Sequence, residues 1–466
     1  MVEALVGLES HLSLNCATKL LCPCPVVSKE AEPNTSTCPT CLGHPGSKPV
    51  LNRKSVDIAI KLALALNCKI EKEIVFSRKT YFYPDMPKNF QITQYEVPLG
   101  REGFIELDSG KKIRITRVHL EEDPGALVHE AGIGASNYVL VDYNRAGVPL
   151  CEIVTEPDIS TKEEAKEYLD KLKAIIDYLD IFDSEKGSIK TDTNVSIEGG
   201  ERVEIKNVSG VLSGVFVAID SELRRQQKVI EDGGKVIRET RAFDEATGTT
   251  SPLRKKETES DYGYIAEPDL TKIELDPNWI ATIKKQLPEL PAQKAKRFQK
   301  EFKLSDYDAK VISSDLLLSQ IFESAAKEVN PSLAAKFLSR ELLGILNYNN
   351  LNLRALNLDA KEIINLLKLL QGGNVSEKNA KEAMIKYCNE QITPEKFLRE
   401  GNLLIDLKTG DVEKVVKEVM KKNPQAVEEL KQGKDKALNF LIGASMRELK
   451  GKANAREIEK IIKGMI

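Results

Sequence analysis

The stretch SIEGGERVEIK, residues 196–206, alternates polar and apolar side chains on both sides of its glycine pair. A period of two is typical of a β-strand, and two adjacent glycines permit the backbone angles of a tight turn. The stretch therefore predicts an antiparallel β-hairpin. Residues 103–117 alternate in the same way around Asp108-Ser109-Gly110 and predict a second hairpin. We therefore expect an antiparallel sheet in the first part of the chain.

Two helices are predicted beside these strands. Thr161 and Glu164 form a capping box, and apolar residues then recur at helical spacing as far as Leu179. The second helix is expected near Leu212–Glu231, where a further glycine pair ends the pattern. The first part of the chain is therefore mixed α and β.

The strand pattern fades after Asp276-Pro277, and helical segments then follow one another across proline and glycine breaks. The last helices are predicted at Asp411–Lys422, Pro424–Lys431, Lys434–Leu449 and Asn454–Lys463. The predicted fold class is α+β. It comprises a mixed α/β domain with an antiparallel sheet over residues 1–275, an all-α helical domain over 276–394 and a small all-α tail over 395–466.

The 466 residues carry a formal net charge of −3, with 41% hydrophobic and 30% charged residues. This balance excludes a disordered or collagen-like chain, and the length favours about three domains.

The end of the chain is more basic than the rest. Residues 411–466 hold 13 Lys and Arg against 9 Asp and Glu. That surplus favours contact with nucleic-acid phosphates, although a solvated helical face has a similar composition. Neither a signal peptide nor a membrane-spanning apolar run is evident, so a cytoplasmic location is expected.

Four of the eight cysteines lie in one short stretch as two close pairs, Cys22 with Cys24 and Cys38 with Cys41. Thiolates are soft ligands, and four of them close a tetrahedral shell around zinc. Such a shell leaves no position for a substrate, so the predicted zinc site is structural. The alternative is four buried cysteines without metal.

Glu9 and His11 are two residues apart, so on a strand both side chains point to the same face. An imidazole beside a carboxylate is half of a general-base site or of a hard-cation site. The carboxylates available to complete it are Glu121, Glu122, Asp123 and Glu152. Magnesium prefers oxygen ligands and usually shares its shell with water and substrate phosphates. The spacing alone equally allows a solvated acidic face.

An aromatic cluster with Tyr81 and Tyr83 follows the basic pair Arg78-Lys79. Such a cluster can hold phosphates and stack an adenine or a terminal base, and its alternative is an aromatic corner of the core. The sequence contains no Walker A motif and no glycine-rich dinucleotide fingerprint, so any ATP site lies outside those two folds. It also contains no Gly-x-Ser-x-Gly nucleophile motif.

Together and in this order, these motifs resemble the GatB subunit of the aspartyl/glutamyl-tRNA amidotransferases over essentially the whole chain. The resemblance rests on the strings VGLESH (6–11), AEPNT (31–35), RKTYFYPD (78–85), QITQYE (91–96), HLEED (119–123), VDYNRAGVPL (141–150), EIVTEPD (152–158), TDTNVS (191–196), VEIKN (203–207), ETRAFDE (239–245), GKDKAL (433–438) and KGKAN (450–454). One departure is Ser10, where the family usually carries Val or Ile. On a strand Ser10 faces away from Glu9 and His11, so we expect altered packing and unaltered chemistry.

The resemblance implies a cradle domain with an ATP and magnesium site, then a helical domain and a tail similar to the YqeY fold. It also implies ATP-dependent phosphorylation of the side-chain carboxylate of misacylated Glu-tRNA(Gln) or Asp-tRNA(Asn). Amidation with ammonia would then give Gln-tRNA(Gln) or Asn-tRNA(Asn) for translation. A separate amidase subunit would supply the ammonia from glutamine, and a third, small subunit would complete a heterotrimer. The implied enzyme is a glutamine-hydrolysing carbon–nitrogen ligase.

The same resemblance assigns residues to roles. The implied magnesium positions are Glu9, His11, Glu121, Glu122 and Glu152, and the implied zinc ligands are the four paired cysteines. Lys79 would neutralise phosphate charge, and the implied nucleotide contacts are Lys79, Tyr81 and Tyr83. The implied catalytic set is Glu9, His11, Lys79, Glu122 and Glu152. A carboxylate not bound to metal would take a proton from the incoming ammonium, and the sequence does not assign that role to one acid.

Two rival interpretations come from other functional classes. A zinc-dependent RNA-binding protein without catalysis would use the cysteine pairs and the basic tail, and would not need Glu9, His11 or Glu152. A freestanding ATP-dependent ligase acting on a small-molecule carboxylate would not need the basic tail. Dependence of ATP turnover on tRNA distinguishes all three.

Overall fold

The structure is a computed structural model that describes residues 4–128, 138–206, 213–244, 247–255, 263–405, 409–431, 435–449, 453 and 455–465. The chain divides into two compact units, Met1–Leu290 and Pro291–Ile466. Within the described ranges, no helix combines the length and the apolar composition needed to cross a membrane.

The first unit is built around β-strands. In chain order they are β1 (Ala4–Ser13), β2 (Lys69–Ile70), β3 (Glu73–Ile74), β4 (Ser77–Thr80), β5 (Phe90–Thr93), β6 (Gly100–Glu106), β7 (Lys112–Glu122), β8 (Ala126–Val128), β9 (Leu140–Asp142), β10 (Pro149–Thr155), β11 (Ile189–Ile197), β12 (Val203–Lys206), β13 (Glu239–Asp244), β14 (Thr249–Lys255), β15 (Gly263–Ala266) and β16 (Ile273–Glu274). Its helices are α1 (Arg53–Ala65), α2 (Lys162–Leu179), α3 (Ser213–Glu231) and α4 (Pro277–Lys285).

Nine of these strands form one sheet in the order β14-β13-β12-β11-β1-β10-β7-β6-β2. Every neighbouring pair is antiparallel except β12 and β13, which are parallel. Both predicted hairpins are confirmed, as β6–β7 and as β11–β12. A smaller sheet has the order β15-β4-β5, and β16–β3 and β8–β9 form two-stranded ribbons.

The large sheet buries one face against the helices. The core of the first unit contains the apolar side chains of α1, α2 and α3 together with alternate residues of the central strands. The predicted capping box begins α2: the Glu164 amide donates to Thr161 Oγ1 at 3.1 Å, and Glu164 Oε2 accepts from the Ser160 amide at 2.8 Å. Helix α4 packs beside α1, where Trp279 Nε1 donates to Asp57 Oδ1 at 2.7 Å. The described helices of the first unit thus pack on one face of the sheet, and Glu9 and His11 of β1 lie on the other.

The second unit is helical. Its helices are α5 (Pro291–Phe302), α6 (Asp306–Ser313), α7 (Leu316–Ala325), α8 (Pro331–Lys336), α9 (Leu343–Tyr348), α10 (Ala360–Gln371), α11 (Glu377–Glu390), α12 (Pro394–Glu400), α13 (Thr409–Lys422), α14 (Pro424–Lys431), α15 (Asp435–Glu448) and α16 (Ala455–Gly464), with a π-helical turn at Phe337–Leu342 and a 3₁₀ turn at Leu353–Leu356. One apolar core runs from Ala295 to Leu398 and a second from Val412 to Ile462. The predicted α+β class is confirmed. The three-domain division at residues 275 and 394 stays a prediction.

Candidate functional site

Strand β1 separates its side chains between the two faces of the large sheet. Leu8 and Leu12 are buried in the core against the helices, and Glu9 and His11 point to the opposite face. Ser10 faces the helices, as predicted, and its Oγ lies 3.1 Å from Thr191 Oγ1 on β11. The partner hydroxyl satisfies a polar group that the core would otherwise leave without a hydrogen bond.

The register of three neighbouring strands brings the key residues together. His11 on β1 is opposite Glu152 on β10, and Glu152 is opposite His119 on β7. Residues in register across a sheet share a face, and Glu121 shares it with His119 because the two are two positions apart. Segments far apart in the sequence thus contribute one group of side chains.

The polar ends of these side chains converge. His11 Nε2 lies 3.6 Å from Glu121 Oε1 and 3.6 Å from Glu152 Oε2, and His119 Nε2 lies 3.2 Å from Glu152 Oε2. One donor atom each from His11, Glu121 and Glu152 lie within 4.8 Å of one another. Both carboxylates are buried, while the side chain of His11 is 25% exposed. The group therefore opens to solvent through the imidazole.

The charges of this group act on one another. Burial lowers the pKa of His11, but the contact with Glu152 and the charges of Glu152 and Glu121 outweigh burial and raise it to about 10. Burial opposes ionisation of Glu152, yet His119 and His11 hold its pKa well below the usual range. Nearby, burial raises the pKa of Asp123 to about 6, although Arg145 partly offsets this. Without a cation, His11 thus acts as the positive partner of an acidic pair.

The other predicted acids lie apart from this group. Glu9 Oε1 accepts a hydrogen bond from Asn194 Nδ2 on β11 at 2.8 Å. Glu122 points the other way from Glu121: its carboxylate accepts from Lys88 Nζ at 2.7 Å and from the Ile92 amide at 3.1 Å. Of the acids predicted as metal positions, the structure gathers Glu121 and Glu152 around His11.

The predicted nucleotide contacts belong to β4 and the loop after it. Lys79 lies on β4 opposite Tyr264 of β15, and its ammonium is 5.9 Å from the ring centroid of Tyr81. Tyr83 is 57% exposed. An exposed aromatic ring and a half-buried lysine on one short segment suit an anionic ligand that carries a flat ring.

Three further residues border the group. His119 was part of a recognised string but had no assigned role, and its position two residues before Glu121 was the available signal. Thr93 Oγ1 lies 3.4 Å from Glu121 Oε2. Tyr264 stacks on Tyr95 with centroids 4.1 Å apart, and burial together with the charge of Glu152 raises its pKa. No sequence pattern indicated Tyr264, because β15 reaches the site by tertiary packing alone.

The two cysteine pairs form a compact cluster. One Sγ atom from each of Cys22, Cys24, Cys38 and Cys41 lies within 4.8 Å of the others, and Cys41 Sγ is 3.9 Å from Cys38 Sγ. Zinc–sulfur bonds of about 2.3 Å in a tetrahedron place sulfurs about 3.8 Å apart, so the cluster suits zinc. The hydrogen bond with Cys22 is the main cause that lowers the pKa of Cys41 to about 4, and Lys19 contributes. A thiolate at this position is what a metal requires.

Both donor sets are therefore chemically suited to metal ions. The group on the open face of the sheet offers two carboxylates and one imidazole, a set that leaves coordination positions for water and phosphate around a hard divalent cation. The four thiols offer a closed soft set.

Comparison with known proteins identifies the family. A family model described as the GatB/GatE catalytic domain matches residues 4–281, and one described as the GatB domain matches residues 320–466. The chain belongs to the GatB family. It is 43% identical over 475 residues to the GatB subunit of the aspartyl/glutamyl-tRNA(Asn/Gln) amidotransferase of Carboxydothermus hydrogenoformans, covering 99% of this chain and 98% of that one. The same subunit from Thermotoga neapolitana is 44% identical over 474 residues with the same coverage. The one from Methanococcoides burtonii is 42% identical over 463 residues, 98% of this chain and 97% of that one.

Membership in the GatB family confirms the resemblance found in the sequence. Both chemical clusters fall inside the stretch that matches the GatB/GatE catalytic domain. The helices with the basic surplus fall inside the stretch that matches the GatB domain.

Proposed function

We propose that this chain is the subunit of a tRNA-dependent amidotransferase that activates and amidates the side-chain carboxylate of Glu-tRNA(Gln), Asp-tRNA(Asn) or both. The observation that carries the proposal is the convergence of His11, Glu121 and Glu152 on the open face of a sheet in a GatB-family catalytic domain. The relatives are named for aspartyl/glutamyl-tRNA(Asn/Gln), which gives the substrate class.

The chemistry requires activation before amidation. A carboxylate is a poor acyl donor because its leaving group would be an oxide. Transfer of the γ-phosphoryl group of ATP to that carboxylate gives an acyl phosphate and ADP. Ammonia then attacks the carbonyl carbon and inorganic phosphate leaves with the bonding electrons. The site must therefore bring two anions together in line and neutralise charge that develops between them.

The residues of the site suit these tasks. Lys79, on β4 of the three-stranded sheet, would neutralise phosphate charge. Lys190 is opposite His11 in the register of the large sheet and is a cation on the face that carries His11. Tyr81 and Tyr83 would contact the adenine ring. Glu9, which lies outside the group that surrounds His11 and is held by Asn194, is the carboxylate we assign as proton acceptor for the ammonium nitrogen. Glu122 would position β5 through Ile92 and Lys88.

His11, Glu121 and Glu152 are the residues that would hold a magnesium ion. When bound, the ion supplies positive charge against phosphate oxygens. His119, on the neighbouring strand, would orient the Glu152 carboxylate through the 3.2 Å contact between His119 Nε2 and Glu152 Oε2.

The ammonia source would be a separate protein. As the resemblance implies, we assign glutamine hydrolysis to a partner amidase subunit, with a third, small subunit to complete the heterotrimer, and the lack of a Gly-x-Ser-x-Gly motif in this chain is consistent with that division. The paired cysteines would hold a structural zinc ion that stabilises the first unit. The expected location is the cytoplasm, where misacylated tRNA is made.

The deciding experiment is an amidation assay with the assembled complex. Labelled ATP, magnesium, glutamine and glutamyl- or aspartyl-tRNA are incubated with the three subunits, and phosphate release and the amide are followed together. The proposal expects both products only when misacylated tRNA is present. An RNA-binding protein would give neither, and a small-molecule ligase would release phosphate without tRNA.

Metal binding by His11, Glu121 and Glu152 should depend on pH. Its imidazole is protonated below a pKa of about 10 in the metal-free protein, and a metal ligand must be deprotonated. Binding therefore releases one proton, so the association constant should rise by about tenfold for each pH unit between 7 and 9. The measurement is titration calorimetry with Mn²⁺ in buffers of different ionisation enthalpy.

The matched control replaces a histidine that is not a proposed metal ligand. His11→Gln should abolish both the pH slope and the proton release, while His44→Gln, an exposed histidine elsewhere in the unit, should leave both unchanged. A pH-independent association constant in the parent protein would remove His11 from the ligand set.

The basic tail should bind tRNA phosphates. Deletion of residues 406–466 removes α13–α16 with their own apolar core, and we expect tRNA affinity to fall at least about tenfold. The slope of log affinity against log salt should become shallower, because it counts displaced counterions. Filter binding between 50 and 300 mM salt measures both.

A point variant checks that charge is the cause. Lys417→Gln with Lys421→Gln removes two exposed cations one turn apart on α13, and should reduce the slope by about two. Unchanged affinity and slope in the truncated protein would identify the tail as a solvated face.

A further inference from the structure

A fully buried lysine lies against the cysteine cluster. Lys19 is 0% exposed, and its Nζ donates to Cys41 Sγ at 3.7 Å and to the Tyr143 carbonyl at 3.2 Å. Of these two acceptors, only Cys41 can carry a negative charge. A buried ammonium is costly unless an anion compensates it, so the structure directs this charge at one thiolate.

The position of Lys19 is fixed at several atoms. Its backbone amide donates to the Cys24 carbonyl at 2.9 Å, which ties the lysine to both cysteine pairs. Its side chain is enclosed as well: a Cβ atom at Gly147, which has a φ of +85°, would lie 3.6 Å from Lys19 Cδ. The backbone hydrogen bond and the complete burial of the side chain therefore hold Lys19 beside the cluster.

Lys19 would offset part of the negative charge of a zinc-loaded cluster. Zinc with four thiolates carries a net charge of −2, and in a buried site this excess is poorly solvated. One ammonium in contact with a ligand sulfur reduces the excess negative charge from −2 to −1 and donates a hydrogen bond to the thiolate. Partners of this kind beside metal ligands are worth about 10- to 100-fold in metal affinity.

We propose that Lys19 is the built-in counter-charge of the tetrathiolate site and a positioning residue for Cys41, so that the site is matched to a dication bound by four ionised sulfurs. The proposal rests on the structural metal site above. It does not depend on the amidotransferase reaction, and its test follows the metal and not catalysis.

The test replaces the charge and keeps the shape. Full-length Lys19→Met, Lys19→Gln and parent proteins are loaded with one equivalent of zinc, and the rate of transfer to a chromogenic chelator is measured. Both variants should release zinc at least about tenfold faster than the parent. Lys29→Met is the matched control, because Lys29 lies in the same stretch, is exposed and donates to the Ser184 carbonyl. It should release zinc at the parental rate.

Two further readouts separate charge from packing. Cobalt-loaded variants should keep the thiolate charge-transfer bands of a four-sulfur site, since the ligands themselves are intact. The melting temperature of the zinc-loaded variants should fall further than that of the reduced zinc-free variants, each compared with the parent in the same state, because Lys19 offsets the larger negative charge when zinc and four thiolates are present. An equal fall with and without zinc would assign Lys19 to packing and overturn the proposal. Parental zinc release from both variants would overturn it, and so would a parent protein that binds no zinc.

Discussion

Glu152→Gln protein should form amidated tRNA at least about a hundredfold more slowly than the parent, the scale typical of a lost charge contact in a transition state. The substitution changes shape little but removes the negative charge that both His11 and His119 face at 3.6 and 3.2 Å. It would remove one of the two carboxylates assigned to magnesium. The measurement is the single-turnover rate of amide formation in the assembled complex at saturating ATP and misacylated tRNA.

A second readout locates the effect in the site. The pKa of His11 is raised partly by the contact with Glu152 and by its charge, so the imidazole of the variant should titrate at lower pH than in the parent. NMR of labelled histidine follows this directly. tRNA affinity should stay within about threefold, because the phosphate contacts are assigned to the basic tail.

The matched control carries the same chemical change elsewhere. Glu164 lies on α2, on the helix-covered side of the sheet, and is paired with Lys111 at 2.8 Å. Glu164→Gln should lose some helix stability and keep the parental rate per folded molecule. Full activity in Glu152→Gln would remove this residue from the site. Phosphate release indifferent to tRNA in the parent would instead argue against the function as a whole.

Local elements were predictable because their signals are local. Alternation around a glycine pair predicted the β11–β12 hairpin, and Thr161 with Glu164 predicted the start of α2. Ser10 was expected to face away from Glu9 and His11, and it does, because successive side chains on a strand point to opposite faces of the sheet. Such inferences need only a few consecutive residues.

Convergence of the site could not be derived in this way. His11 meets Glu152 only because β1 pairs with β10 in one particular register, and that pairing joins segments about 140 residues apart. The same limit applies to Glu121 and Glu122, which are adjacent in sequence and equal in chemistry. Only the packed structure shows that Lys88 binds the second one and leaves the first beside His11. Family resemblance supplied the candidates, and strand pairing places Glu121 and Glu152 beside His11.

Cys38→Ser should release the zinc ion and destabilise the first unit. Serine keeps the size of the side chain but replaces a soft thiolate with a hydroxyl that is not ionised at neutral pH, so the tetrathiolate set loses one of its four ligands. A loss of about a thousandfold in zinc affinity removes about 4 kcal/mol of zinc-dependent stabilisation. Metal analysis should find little zinc after dialysis, and calorimetry should show a lower melting temperature that added zinc does not restore.

The generic cost of replacing a buried cysteine must be separated from the loss of the metal. Cys388 is buried in the core of the second unit and lies outside the cluster, so Cys388→Ser should lower stability through that core and retain the zinc ion. In the parent, a strong chelator should reproduce the Cys38→Ser melting temperature, and the same chelator should leave that variant unchanged. If zinc removal does not change the melting of the parent, the four cysteines are merely close neighbours in a small core. In the proposed case, the amidation rate per folded molecule should not depend on zinc directly, because a closed shell of four ligands has no position for substrate.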